Sequence, residues 1–353
     1  MGPRSVTVDE RVFLSSYGRF HTAIGVGGIG TGMFFSLSGD HTLGREESRA
    51  GRIVDRRDYC KLHIVSHYLQ ALLGPSISVL PIGLVGEDEA GKTLLGEMKE
   101  IGMNTGYVRT APGARTLFSF CLLYPDGSGS NLTTDDSACA MLAPDDVQMV
   151  EGEIEKAGSG GIALALPEVP LESRKKLLEL ATTHGLFRVA SFTTEEIGDA
   201  IEERMLDLTD HLALNIDEAA RIAGRSYRMQ EITGKKTASL LMQKYPHLGF
   251  SITAGEKGSW VREDTSLLHV PPCGVDAVSA AGAGDAFLAG YIAGAACGLC
   301  PSDAGRLGSL TGAVSVTSPH TIHKGLNADA VRRLALESGF PLTDALRDLL
   351  RLE

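Results

Sequence analysis

The chain has 353 residues, with 33 Lys plus Arg against 44 Asp plus Glu, a formal charge of −11. That balance excludes sequence-general nucleic-acid binding, which needs a basic footprint, but not a phosphate-bearing ligand held by backbone amides at a helix terminus. Glycine accounts for 42 residues, against roughly 25 at average usage, so the glycines are the feature to follow.

Residues 1–19 read as a loosely specified arm. Its charges at Arg4, Asp9, Glu10 and Arg11 rule out a secretory signal. Phe20–Ile24 starts a short strand that runs into Gly25-Val-Gly-Gly-Ile-Gly30, and GMFFSL continues as strand. Ser38 to Arg57 is polar and charged, which suggests a flap or insertion rather than core. Asp58 to Leu73 has apolar residues at helical spacing and stops at Gly74. Ile77–Ile82 is a strand, and Glu89–Ile101 a helix ended by Gly102. Thr116–Tyr124 and Ser130–Thr134 form a hairpin around Pro125-Asp-Gly127.

Strands and helices then alternate. Gly161–Leu166 precedes a helix over Leu171–His184, and Leu186–Ala190 one over Thr194–Met205. His211–Leu214 precedes a helix over Ile216–Ile222, ended by Gly224. A helix over Thr233–Lys244, with Thr233 as N-cap, leads to the strand Gly249–Thr253 and its hairpin partner Ser259–Arg262. Helices over Ala286–Cys297 and Gly305–Val316 follow. The alternation means an α/β fold, with a parallel sheet between two helical layers. The segments near 30–57 and 115–135 do not fit it and suit a small β lid. One domain over 20–333 with a helical tail over 334–353 is the expected organisation.

No uncharged run is long and unbroken enough for a lipid span of ~20 residues, so no membrane partner is expected. The six cysteines are too sparse for a disulfide scaffold, which suits a reducing cytoplasm. Cys297-Gly-Leu-Cys300 reads as small hydrophobes. His320 and His323 lack a third ligand of matching spacing.

Ser279-Ala-Ala-Gly-Ala-Gly-Asp285 is the strongest local signal. A Gly/Ala loop opening a helix points unobstructed amides at one spot, where the helix dipole also favours negative charge. Asp285 at that spot caps the helix on the plain reading. On the chemical reading it is a base beside an anion hole, the minimal kit for phosphoryl transfer to an alcohol. Gly290, Gly294 and Gly298 recur every four residues, one helix face that would let the helix lie close on the sheet. Gly25–Gly30 matches the dinucleotide fingerprint G-x-G-x-x-G, but the required helix does not follow. Asn215-x-x-Glu218 is a capping-box-like pair at a strand end, and Thr253-Ala-Gly-Glu-Lys-Gly258 lies at another. Such strand ends are where open α/β sheets bind ligands.

In order along the chain, the glycine-bearing first strand, Gly83-Leu-Val-Gly-Glu-Asp88 with Gly91, the Pro125–Gly127 hairpin, Glu168-Val-Pro170, Asn215-x-x-Glu218, Thr253-x-Gly255-x-x-Gly258 and Gly282-Ala-Gly-Asp285 resemble the ribokinase-like, PfkB-type sugar kinases. The resemblance covers about Phe20 to Arg333. It implies a Rossmann-like α/β domain with a β lid, ATP with Mg²⁺, transfer to a hydroxyl of a sugar, polyol or nucleoside, and a homodimer through the lid. It makes Asp285 the base and the amides of Gly282, Ala283 and Gly284 the anion hole. Asn215 and Glu218 would lie near the phosphates and the magnesium shell, Thr253, Gly255 and Gly258 along the nucleotide, and Gly28 and Glu168 near the acceptor. The family's acceptor-binding Asp is replaced by Gly32, its paired glycines and Asn by Cys60, Lys61 and Val65, and its Asp before the anion loop by Ser279. Asp40 and Arg45 in the polar segment are the expected substitutes for the missing clamp, suited to a different or charged acceptor. A non-catalytic sugar or nucleotide sensor and a nicotinamide-dependent oxidoreductase are the competing readings.

Overall fold

Thr22–Val26 (β1) alternates its side chains between two cores: Ala23 packs with one apolar cluster, Ile24 and Val26 with another. Such two-sided burial is what a parallel strand between helical layers requires. The computed structural model describes residues 13–14, 18–39, 44–125, 129–222 and 231–352. The remaining strands are Gly30–Leu37 (β2), Gly51–Tyr59 (β3), Ser78–Gly86 (β4), Val108–Ala111 (β5), Leu117–Leu123 (β6), Gly129–Thr133 (β7), Gly161–Ala165 (β8), Phe187–Ser191 (β9), His211–Asn215 (β10), Gly249–Thr253 (β11), Ser259–Glu263 (β12) and Ser266–Val270 (β13).

Nine strands form one sheet in the order β13-β12-β11-β10-β9-β8-β1-β4-β5. It is parallel from β11 to β5 and antiparallel only at the β11-β12-β13 edge. Helices Lys61–Leu73, Ala283–Ala296, Pro301–Ser315 and Ala328–Glu337 cover one face; Glu151–Ala157, Leu171–His184, Ile216–Ile222 and Glu231–Lys244 cover the other. The order turns back at β1, whose neighbours are β4 and β8, and crevices at such reversals take ligands. Phe340, Leu346 and Leu350 join the first core, so the end of the chain packs as part of it.

The second sheet, β3-β2-β6-β7, is the β lid. It corrects the expected flap: residues 51–59 form a strand paired along β2, with a bulge at Met33/Phe34. Its charges mislead because one face of the lid is exposed. The following helix accordingly starts at Lys61, not Asp58. Two more helices differ in extent: Ile197–Glu202 is shorter than expected, and Glu231–Lys244 begins before Thr233, which is therefore not its cap. Asp40, the Asp126–Gly127 turn and Gly224 lie outside the described residues.

The glycine stripe also takes a different role. A Cβ at Gly290 would stand 2.8 Å from Gly308 Cα, and one at Gly294 2.9 Å from Ala304 Cα. The stripe therefore packs against the neighbouring helix rather than the sheet. Gly298 lies past the helix end with φ 85°. Among the described residues, no helix is long and apolar enough to cross a membrane.

Candidate active site

The loop before helix Ala283–Ala296 turns through Gly282 in the left-handed region, φ 78°. A Cβ there would meet the Thr321 carbonyl at 2.8 Å, so both conformation and space require glycine. Among the described residues the amides of Gly282, Gly284 and Asp285 have no recorded acceptor, while that of Ala283 turns back on the Ala280 carbonyl at 3.2 Å. Gly284 is exposed. Free amides at the positive end of a helix dipole can hold an anion.

Asp285 stands in that first turn, its side chain 16% exposed, and its Oδ1 lies 3.0 Å from Lys61 Nζ. Lys61 is the first residue of its helix, at the root of the lid. Its Nζ also donates to Ser191 Oγ (3.2 Å) at the end of β9, and its backbone amide donates to Glu168 Oε2 (3.1 Å). Burial alone would lower the ammonium's pKa, but Asp285, then Glu218 and Glu168, outweigh it and hold the charge.

Glu168 follows β8 with φ 76°, an uncommon conformation for a side chain with a Cβ. Gly28 makes the room: a Cβ there would come 2.5 Å from that of Glu168. Burial pushes the Glu168 carboxyl up to about 7. Asp58, near the end of β3, is also raised, by burial first, with Asp285 contributing.

The residues expected along the nucleotide sit on adjacent strand ends. Asn215 pairs with Thr253 in the β10/β11 register, and Thr253 Oγ1 would be 3.9 Å from a Cβ on Gly284. The capping box is realised: Asn215 N and Nδ2 donate to Glu218 Oε2 and Oε1 (2.7 and 2.9 Å), and Asn215 Oδ1 accepts from the amides of Asp217 and Glu218. Burial raises the Glu218 carboxyl, and Lys61 opposes this. Gly255 and Gly258 both have positive φ, and a Cβ on Gly258 would strike the Val270 carbonyl at 2.2 Å.

Arg45 is not brought into this group. Its side chain is 93% exposed and its recorded partner is Glu46, 3.8 Å away. His320 is not poised as a ligand either: its Nδ1 accepts from the Arg57 amide at 3.0 Å. Among the described residues no three His, Cys, Asp or Glu side chains gather as a metal site. Asp58, Lys61 and Ser191 are the cleft residues that sequence reasoning missed. The one available signal was Lys61 standing where the family's paired glycines should be.

The pfkB family carbohydrate kinase model matches residues 65–328. The chain belongs to this family. It is 24% identical over 242 residues to an "uncharacterized sugar kinase" of Archaeoglobus fulgidus, covering 66% of this chain and 88% of that one. It is 25% identical over 230 residues to an ATP-dependent ribose-1-phosphate kinase of Halopiger xanaduensis, covering 63% and 69%. The ribokinase of Cryptococcus neoformans in complex with ADP superposes with a TM-score of 0.75 at 19% identity, covering 89% of this chain and 99% of that one. The fold is ribokinase-like, and the enzyme is an ATP-dependent kinase of sugar-like substrates at family level.

Proposed function

We propose that this kinase transfers the γ-phosphoryl group of ATP to a hydroxyl of a sugar, polyol or nucleoside, with Asp285 as the base. The observation that carries the reading is the position of Asp285. It stands in the first turn behind the Gly282–Gly284 loop, paired with Lys61, whose amide also holds Glu168, while Thr253 lies beside Gly284. Asp285 takes the hydroxyl proton, the alkoxide oxygen attacks the γ-phosphorus, and the bridging P–O bond breaks to leave ADP. The loop amides stabilise the charge on the transferring group. Thr253, Gly255 and Gly258 line the nucleotide in this reading, and Glu168 and Gly28 the acceptor.

A magnesium ion bound with the nucleotide would neutralise phosphate charge. Both Glu218 oxygens already accept hydrogen bonds from Asn215, so Glu218 suits holding such an ion through water. The lid's outer face exposes Ile53, Phe120 and Leu132, which supports a homodimer through the lid. Six free cysteines fit a reducing, cytoplasmic setting.

The test is Asp285→Asn. It should lower kcat by ~10²-fold or more while nucleotide binding is retained; wild-type turnover would sink the assignment. The sensor reading draws on the same ion pair, because Lys61 occupies the base. ATP consumption across neutral and charged acceptors separates the two, since a sensor would bind ligand without turnover.

A further inference from the structure

Gly32 and Asp58 face each other across the β2/β3 register. A Cβ on Gly32 would lie 3.0 Å from Asp58 Cβ and 2.9 Å from Ser119 Cβ, so all three positions share one face of the lid. That face is the inner one. It carries Gly32, Ser119 and Cys121, all buried, whereas Ile53 and Phe120 on the other face are exposed. The missing side chain at 32 is what admits Asp58. Its Oδ2 reaches across β2 to Cys121 Sγ at 3.3 Å.

A thiol is a weak donor, and a carboxylate has about four lone-pair sites. The Tyr59 amide and the Thr321 hydroxyl also bear on Asp58, and beyond these three a half-buried carboxylate keeps a lone-pair site for one further donor. The next residue, Tyr59, donates its amide to Thr321 Oγ1, and the Thr321 carbonyl stands against Gly282, so β3 brings Asp58 up to the loop before Asp285. Among the described residues that interact here, Asp58, Glu168, Glu218 and Asp285 are acidic, against two basic groups, Lys61 and the buried Arg174 that acts on Glu168. Such a field favours hydroxyl donors and repels a second anion.

We infer that Asp58 is a specificity-determining residue of the acceptor pocket. It accepts a hydrogen bond from an acceptor hydroxyl and selects neutral polyhydroxylated acceptors over those bearing carboxylate or phosphate. The inference deepens the kinase reading above and rests on it. Of the different or charged acceptor expected from the 40–57 segment, it favours the different one.

The experiment is steady-state kinetics of wild type, Asp58→Asn and Asp58→Glu. The probes are ribose, fructose, myo-inositol and inosine, with ribose 5-phosphate and gluconate as anionic acceptors. Wild type should prefer a neutral probe by about tenfold or more in kcat/KM. Asp58→Asn should raise that acceptor's KM about tenfold or more, the scale of one hydrogen bond to a charged group. Its KM for ATP should stay within about twofold, and its discrimination against the anionic probes should shrink. Asp58→Glu keeps the charge and should keep the neutral preference while raising the acceptor KM. An unchanged acceptor KM in Asp58→Asn, or an anionic preference in wild type, overturns the inference and leaves the kinase reading standing. No turnover of any probe by wild type overturns both.

Discussion

Lys61 Nζ and Asp285 Oδ1 stand 3.0 Å apart although 224 positions separate them in the chain. The pair joins the root of the lid to the first turn of the helix behind the anion loop. Neither side chain is fully exposed, so the attraction is screened less than at the surface. Removing Lys61 leaves Asp285, Glu168 and Glu218 without their shared cation. Lys61→Met should lower kcat by roughly tenfold or more and cost about 1–3 kcal/mol of stability. Steady-state kinetics and thermal unfolding check both. Wild-type values for each would show that the pair is dispensable.

Glu168 gives the chain a stability profile of known sign. Its carboxyl moves from the ordinary 4.5 to about 7 in the fold. Between those values the folded chain holds the proton more tightly than the unfolded chain. Stability is therefore lost as pH rises from about 5 to 7. Glu168→Gln, neutral throughout, should abolish this loss. Melting temperatures across that range decide it: parallel curves for the two proteins would contradict the assignment.

His63 and His67 act in the opposite direction. Both are buried on the helix Lys61–Leu73, and neither ring nitrogen of His63 has a recorded hydrogen-bond partner. Burial, reinforced by neighbouring charge, lowers them from 6.5 to about 3 and about 4. The unfolded chain binds protons there that the folded chain refuses, so stability falls as pH drops below about 6.5. His63→Leu should flatten that acid limb in chemical denaturation at pH 5 and 7. An equally steep limb in the variant would rule out His63 as its source.

Two glycines in regular helices should respond to alanine in opposite ways. At Gly290 a Cβ would meet Thr311 Oγ1 at 2.4 Å and Gly308 Cα at 2.8 Å, so Gly290→Ala should destabilise by about 1–3 kcal/mol. At Gly96 nothing lies within 4 Å, so Gly96→Ala should stabilise by roughly 0.5–1 kcal/mol. Denaturant midpoints measure both, and the same sign for the two would refute the close packing of the helices.

The proposed nucleotide side of the cleft is legible in the sequence because its motifs are local. Gly282 to Asp285, Asn215 to Glu218 and Thr253 to Gly258 each lie within one turn or strand end, so spacing along the chain reports spacing in the fold. The proposed acceptor side is not. Asp58 reaches its place through a strand pairing with Gly32, and Lys61 through a contact with Asp285. β3 falls in the segment assigned to the lid, but its strand is hidden because its exposed face carries charge. Short edge strands such as β5 and β13 left too few residues for a period to show.

Thr321 holds the lid by its root. Its amide donates to the Arg57 carbonyl (3.1 Å), its hydroxyl accepts from the Tyr59 amide (2.9 Å), and its own carbonyl stands against Gly282. The inner end of β3 is thus sewn to the wall of the anion loop. One threonine serves two structures at once, and a change at Thr321 would disturb the lid's root and the loop before Ala283–Ala296 together.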